Sequence, residues 1–183
     1  MLQNRQIFYR DPTTFVIPND GVTEVFEPRT PQEWAVLRYE LESFVCSGEY
    51  KDGLERVLGA FLGHLDQPKQ PAAWVSGLYG SGKSHFVRVL QSLWQDVRFP
   101  DGAQARSLVA LPPEVAEQLS ELSTASRREG GSWAAAGTLS AGAESIRLAL
   151  LSIVFRGAGL PVQYAPATFV IWLNMILKRC RTR

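Results

Sequence analysis

The chain has 183 residues, 45% apolar and 20% charged, a composition that excludes a disordered or fibrous protein and allows one ordinary globular domain. Its 19 basic and 18 acidic residues leave a formal charge of +1, so overall charge gives no reason to expect nucleic acid or an anionic membrane as partner. Two isolated cysteines, Cys46 and Cys180, suit a reducing compartment, and no apolar run reaches the roughly 18 residues of a membrane helix. We therefore expect a soluble, cytoplasmic protein without a membrane partner.

Residues 1–70 are predicted to form an N-terminal piece of brief extended segments followed by two helices. Thr30 and Glu33 have the three-residue spacing of a capping box, which marks the start of the first helix. Apolar residues recur at helical spacing after it, and a second such series over residues 50–65 predicts the second helix. The Pro-bearing segment DQPKQP, residues 66–71, is predicted to be a linker that ends this piece.

The most informative part of the sequence follows the linker. The segment AAWVS, residues 72–76, is short, apolar and partly β-prone, which favours a buried parallel strand. The glycine-rich segment GLYGSGKS, from Gly77 to Ser84, comes directly after it, and an amphipathic helix with Phe86 and Val89 on one face comes next. Strand, glycine loop and helix in this order are typical of a phosphate-binding P-loop.

The remaining sequence is predicted to alternate between short strands and helices. An amphipathic helix begins at Pro112-Pro113, and the SIRLALLSIVF segment is expected to form a largely buried helix. Three short apolar segments are candidate strands, at residues 106–111, 133–139 and 168–173.

These elements predict an α/β fold: an incomplete P-loop NTPase core of AAA-like type with parallel strands, preceded by a small helical N-terminal segment. The expected division is an N-terminal piece at residues 1–70, a partial nucleotide-binding domain at residues 71–177 and a basic tail at residues 178–183. Four of the last six residues are basic, a pattern more typical of a solvated tail than of a nucleic-acid contact.

The glycine-rich loop predicts binding of ATP with Mg²⁺. Converging backbone N–H groups and the positive end of the following helix can hold a triphosphate, and glycine lets the backbone approach it closely. Lys83 is expected to reach the β- and γ-phosphates, and the Ser84 hydroxyl is expected to bind Mg²⁺. The predicted nucleotide-binding residues are Gly77, Gly80, Ser81, Gly82, Lys83, Ser84 and His85.

Several other residues near the motif have two interpretations. His85 follows the motif directly, and its ring lies either near the phosphates or on the helix surface. A tryptophan that stacks on adenine is the alternative to a core position for the five tryptophans, Trp34, Trp74, Trp94, Trp133 and Trp172. Arg127 and Arg128 are either nucleotide contacts or an exposed helix end.

An acid that would support hydrolysis is not found at the expected place. In P-loop enzymes a second motif, a hydrophobic strand ending in Asp and often followed by Glu, holds Mg²⁺ and orients the attacking water. The aspartates after Ser84 are Asp96 and Asp101, which lie close behind the P-loop helix rather than at the end of a new strand. We therefore assign no catalytic residue, and we expect either a piece of a longer ATPase or a protein that binds nucleotide with little turnover.

The patterns flanking the loop resemble a known family. ELESFVCSGEY, WVSGLYGSGKSHF and LSTASRREGGSWAAAGTLSAGA are similar to the start of the large P-loop ATPases of BREX phage-defence systems, the BrxC and PglY type, and the likeness covers about residues 8–173. The resemblance implies an AAA-like ATPase module that acts with a DNA methyltransferase and other defence proteins. It also implies DNA contact through that complex and a ring-like oligomer.

Two other functions stay open. The first alternative is a scaffold module in which nucleotide holds the fold or docks a partner without being hydrolysed, which the missing acid favours for this chain. A small-molecule kinase is a weaker alternative, because no segment resembles a lid or an acceptor site. The ending NMILKRCRTR differs from the family's continuation, which predicts a fragment or a changed reading frame near residue 173.

Overall fold

The computed structural model describes residues 28–128, 130–139, 145–161 and 171. Within these ranges the chain forms helices joined by turns and irregular segments. In chain order they are α1 (Pro31–Glu42), α2 (Glu49–Leu62), α3 (Lys83–Gln95), α4 (Ala105–Leu108), α5 (Pro113–Arg128) and α6 (Ile146–Gly157). The predicted tail at residues 178–183 and nearly all of the predicted extended segments before Thr30 lie outside the described residues.

The capping box predicted at the start of α1 is confirmed. The Thr30 side chain accepts a hydrogen bond from the Glu33 backbone N–H at 3.2 Å, and the Glu33 carboxylate accepts one from the Thr30 N–H at 3.0 Å. Pro31 occupies the first turn, where its missing N–H costs no intrahelical hydrogen bond. Local side-chain chemistry therefore sets where α1 begins.

A single apolar core joins α1 and α2 to α3, α4 and α5. The most extensive packing is between α2 and α5, and α1 packs against α3 and α4. The largest fully buried core side chains are Leu41, Leu54, Leu58, Val89, Leu93, Val115, Leu119 and Leu122. The division predicted at residue 70 stays a prediction, and helices from both sides of it share this core.

The predicted α/β core with parallel strands is wrong for the residues that the structure describes. They contain no β-sheet, and their β structure is an isolated antiparallel bridge between Arg98 and Gln104. Residues 72–76 and 133–139 are irregular, and of the candidate strand at 168–173 the structure describes Ile171 alone. A β-prone run becomes a strand only when a neighbouring strand pairs with its N–H and C=O groups, and intrinsic β-propensity is too weak to replace that pairing.

The candidate strand at residues 106–111 is wrong for a specific reason. Its first residues lie in the short helix α4, where the Arg106 side chain donates hydrogen bonds to the carbonyls of Leu93 at 2.7 Å and Leu119 at 2.9 Å and to the Ser123 hydroxyl at 2.6 Å. The Leu93 carbonyl lies in the last turn of α3, where few intrahelical N–H donors remain, and Leu119 and Ser123 lie within α5. Arg106 therefore fastens this segment to α3 and α5 rather than leaving it extended.

The helix predicted over SIRLALLSIVF is confirmed, but its predicted burial is wrong. The Ser145 side chain accepts a hydrogen bond from the Leu148 N–H and caps α6. Phe155 is the buried side chain of this helix, whereas Ile146 is 68% exposed. No helix among the described residues has the length and apolar character needed to cross a membrane.

Candidate phosphate-binding site

The glycine-rich loop lies between the irregular segment 71–76 and α3, and its glycines occupy backbone conformations that other residues rarely adopt. Gly80 has φ of +79°, and Gly82, the N-cap of α3, has φ of +76°. A side chain at either position would strain the backbone, which is the physical reason for glycine there. The loop therefore turns sharply into the N-terminus of α3.

Lys83 folds back over this loop. Its Nζ donates hydrogen bonds to the carbonyls of Gly77 at 3.0 Å and Leu78 at 2.7 Å, and it lies 3.4 Å from the Ser81 hydroxyl. The Ser81 N–H donates to the Leu78 carbonyl at 3.2 Å, which closes a turn. The structure thus brings the lysine ammonium and the loop backbone together.

Packing inside the loop is close at its first position, Gly77. A Cβ added to Gly77 would lie 2.7 Å from the Ser81 Oγ, closer than van der Waals contact allows. The Gly77 carbonyl is also one of the Lys83 acceptors. Residues 77–83 therefore form a compact loop, in which a side chain at residue 77 would displace the Ser81 hydroxyl.

Tyr50, in the first turn of α2, supports the loop from outside. Its hydroxyl donates a hydrogen bond to the Ser81 carbonyl at 3.0 Å. A Cβ at Gly82 would collide with the same hydroxyl. The Tyr50 ring stacks on Phe86, with 6.1 Å between centroids, and meets the Phe44 ring edge-on at 5.5 Å.

Two of the predicted binding residues have different surroundings. The Nε2 of His85 lies 3.1 Å from the Glu40 carbonyl, and the ring meets Phe44 edge-on at 5.7 Å. His85 therefore packs on α1 and is half-buried. Ser84 is exposed in the first turn of α3, where its hydroxyl is accessible to a cation beside the loop.

A cleft of about 890 Å³ adjoins the loop on the α2 side. One wall is α2, including Arg56, and the opposite wall is the segment 71–77. Lys83 and Arg56 contribute positive charge to the lining and Glu49 contributes negative charge. Trp74 is 92% exposed and lies at this cleft. The core position favoured for tryptophan from the sequence is therefore wrong for Trp74.

The two aspartates after Ser84 lie away from the loop. Asp96 is the C-cap of α3, which at 1.5 Å per residue puts about 20 Å between it and the loop. Its carboxylate accepts a hydrogen bond from the Arg106 N–H at 3.1 Å, and Asp101 pairs with Arg38 at 2.5 Å. The described residues also contain no cluster of three His, Cys, Asp or Glu side chains that could hold a metal ion.

The loop fits a phosphate group and its magnesium ion on three observations. The positive-φ glycines leave no Cβ in the turn, the Lys83 ammonium lies over the loop, and the α3 N-terminus begins there. Phosphate oxygens would meet Lys83 and backbone N–H groups, and a bound Mg²⁺ would meet the Ser84 hydroxyl.

Sequence reasoning missed Tyr50, which it counted only in the apolar series of the second helix, and Arg56, which lines the cleft. No signal in the sequence places them beside a loop that lies about thirty residues further along. Arg127 stays at the end of α5, where it lies 3.3 Å from the Thr124 hydroxyl, and it does not line the cleft.

No protein-family model matches the chain, and no solved structure matches it.

Proposed function

We propose that this chain binds ATP with Mg²⁺ at Gly77–Ser84, as the ATP-binding part of a large ATPase of the BREX phage-defence type. The observation that carries the ATP-binding part is the contact of the Lys83 ammonium with a glycine turn that leads directly into α3. The assignment to phage defence rests on the resemblance of the sequence flanking this loop.

The chemistry of the loop supports a polyphosphate ligand over a neutral one. Lys83 uses its donors on carbonyl oxygens of the loop, and phosphate oxygens, which carry full charge, are stronger acceptors than carbonyls. The N-terminus of α3 adds a fixed positive potential of about half an elementary charge. A triphosphate therefore gains from both groups at the same place.

A bound Mg²⁺ would neutralise charge on the phosphates and withdraw electrons from the bond that breaks. Ser84 is the side chain placed to contribute an oxygen ligand, from the first turn of α3. Hydrolysis also needs a group that orients water, and neither Asp96 nor Asp101 approaches the loop. The positions of Ser84 beside the loop, and of Asp96 and Asp101 away from it, therefore support ATP binding with slow hydrolysis.

A non-hydrolysing scaffold is the second candidate, and the remote positions of Asp96 and Asp101 favour it for this chain. In that case the bound nucleotide stabilises the loop and docks a partner. In either case the proposed setting is the cytoplasm, with other defence-complex proteins as partners, DNA reached through that complex and an oligomer of the ATPase.

The binding proposal is tested by calorimetric titration of the chain with ATP and Mg²⁺. Loss of a hydrogen bond to a charged group should weaken ATP binding by Lys83→Ala at least about ten-fold. Lys69→Ala is the matched control, because Lys69 is an exposed lysine of the preceding segment. Failure of the parent chain to bind ATP would refute the proposal.

A measurement of ATP hydrolysis distinguishes an ATPase part from a non-hydrolysing scaffold. Release of phosphate from ATP is measured for the chain alone and within a reconstituted BREX-type complex containing DNA. An ATPase part should hydrolyse ATP in the complex and lose that activity with Lys83→Ala. A scaffold should bind ATP in both settings and hydrolyse it in neither.

A further inference from the structure

We propose that Tyr50 is a positioning residue for the phosphate-binding loop: its hydroxyl holds the Ser81–Gly82 peptide in the orientation that presents the Gly82 N–H to phosphate. This inference rests on the proposed ATP-binding function. It adds a role for α2, a helix that ends at Leu62, before the glycine motif begins at Gly77, and contains none of its residues.

The hydrogen bond from Tyr50 sets the orientation of one peptide plane. The Tyr50 hydroxyl donates to the Ser81 carbonyl at 3.0 Å. In a trans peptide the C=O and N–H groups point in opposite directions, so a carbonyl turned towards Tyr50 turns the Gly82 N–H away from it. A peptide between two glycine-rich turns has few other constraints, because glycine at Gly80 and Gly82 permits many φ/ψ values.

The approach of Tyr50 to the loop is unusually close. A Cβ at Gly82 would overlap the Tyr50 hydroxyl, so glycine is needed there both for its φ of +76° and for space. The hydroxyl thus contacts the loop through Ser81 and Gly82 together. Contact with both residues of one peptide is expected of a side chain that fixes the conformation of that peptide.

The Tyr50 ring is itself held in place. It stacks on Phe86 of α3 at an interplanar angle of 26° and meets Phe44 edge-on, and both phenylalanines are buried. Leu54 and Leu58, further along α2, are fully buried against the core. A side chain whose ring and helix are both fixed can hold a loop with little additional loss of entropy.

The test uses Tyr50→Phe, which removes the hydroxyl and keeps the ring packing. Loss of this hydrogen bond should weaken ATP binding by about three- to ten-fold. Tyr39→Phe is the matched control, because Tyr39 lies on α1, outside the loop and the cleft, and this variant should bind ATP like the parent. The thermal midpoint of Tyr50→Phe without nucleotide should stay close to that of the parent, which separates positioning from a loss of folded protein.

A spectroscopic measurement with isotope labels observes the Ser81–Gly82 peptide directly. Labelling serine with carbonyl ¹³C and glycine with ¹⁵N selects three Ser–Gly peptides of this chain, namely Ser47–Gly48, Ser76–Gly77 and Ser81–Gly82. In the parent, ATP should shift the Gly82 signal strongly and leave the Gly48 signal in place. In Tyr50→Phe, saturating ATP should produce a smaller or broadened Gly82 response.

The outcomes distinguish this inference from the proposed function. Failure of the parent chain to bind ATP would overturn both. A different result would overturn the role of Tyr50 and leave the ATP site intact. In that case the parent binds ATP and Lys83→Ala weakens the binding, but Tyr50→Phe changes neither the affinity for ATP nor the Gly82 response.

Discussion

Arg88 of α3 forms an ion pair with Glu40 of α1 inside the core, where Nη1 lies 3.2 Å from Oε2 and the two side chains are 5% and 11% exposed. The backbone carbonyl of Glu40 also lies 3.1 Å from Nε2 of His85, one turn before Arg88. Glu40 therefore contacts the first two turns of the helix that begins at the glycine-rich loop. This connection makes α1 part of the structure that holds α3.

Breaking the Glu40–Arg88 pair should destabilise the fold. Glu40→Gln leaves a buried guanidinium without its counter-charge, and we expect the free energy of unfolding to fall by about 3 kcal/mol. The measurement is urea unfolding, with the exposed Glu42→Gln as control, for which the expected change is below about 0.5 kcal/mol. A Glu40→Leu/Arg88→Met double variant should recover much of the loss, and equal stabilities of Glu40→Gln and the control would contradict the prediction.

Trp74 should report ATP binding by its fluorescence. The side chain is 92% exposed and lies at the cleft beside the loop, so a ligand there would change the polarity around the indole. We expect ATP with Mg²⁺ to change the emission, and Trp74→Phe to remove most of that change. Trp133→Phe is the control, because Trp133 donates its indole N–H to the Gly157 carbonyl and does not line the cleft. An undiminished ATP signal in Trp74→Phe would place the ligand elsewhere.

The contact between α2 and α5 should weaken at low pH. A hydrogen bond from its own backbone N–H and then one from Lys51 lower the pKa of Glu114 below its ordinary value of 4.5. A carboxyl with a lowered folded pKa stabilises the fold above its unfolded pKa, and this stabilisation is lost as the pH falls through the folded pKa. We therefore expect the urea midpoint to decline below about pH 4.5.

The matched variant for this pH effect is Glu114→Gln, which should have a shallower decline than the parent between pH 5 and pH 3. Because Glu114 is exposed, high salt should reduce the difference between the two proteins. Glu117→Gln, an exposed neighbour on α5, is the control and should keep the slope of the parent. Identical pH profiles for the parent and Glu114→Gln would contradict the prediction.

Sequence patterns predicted the helices well where the pattern was local and strong. The capping box at Thr30 and Glu33 predicted the start of α1, and the apolar spacing of Val115, Leu119 and Leu122 predicted the buried face of α5. These signals act over one or two helical turns, so they do not depend on the rest of the chain. The strand predictions that fall on described residues failed because pairing partners, rather than the segments themselves, decide whether a strand forms.

Burial was harder to predict than helicity. The apolar run in α6 favours a helix wherever it lies, yet Ile146 and Leu148 are exposed, because no described element covers them. Trp74 is exposed for the same reason, although its apolar neighbours suggested a strand in the core. The composition of a segment sets how much apolar surface it can bury, but its neighbours in the fold determine how much it does bury.

The glycine-rich loop contains both kinds of information. The sequence by itself determined the sharp turn, because Gly80 and Gly82 permit positive φ, and it placed Lys83 directly after that turn. Only the tertiary structure decided what supports the loop. The Tyr50–Ser81 bond joins residues 31 positions apart, and contacts of this kind form only after helices pack, since their geometry depends on the shared core rather than on nearby residues.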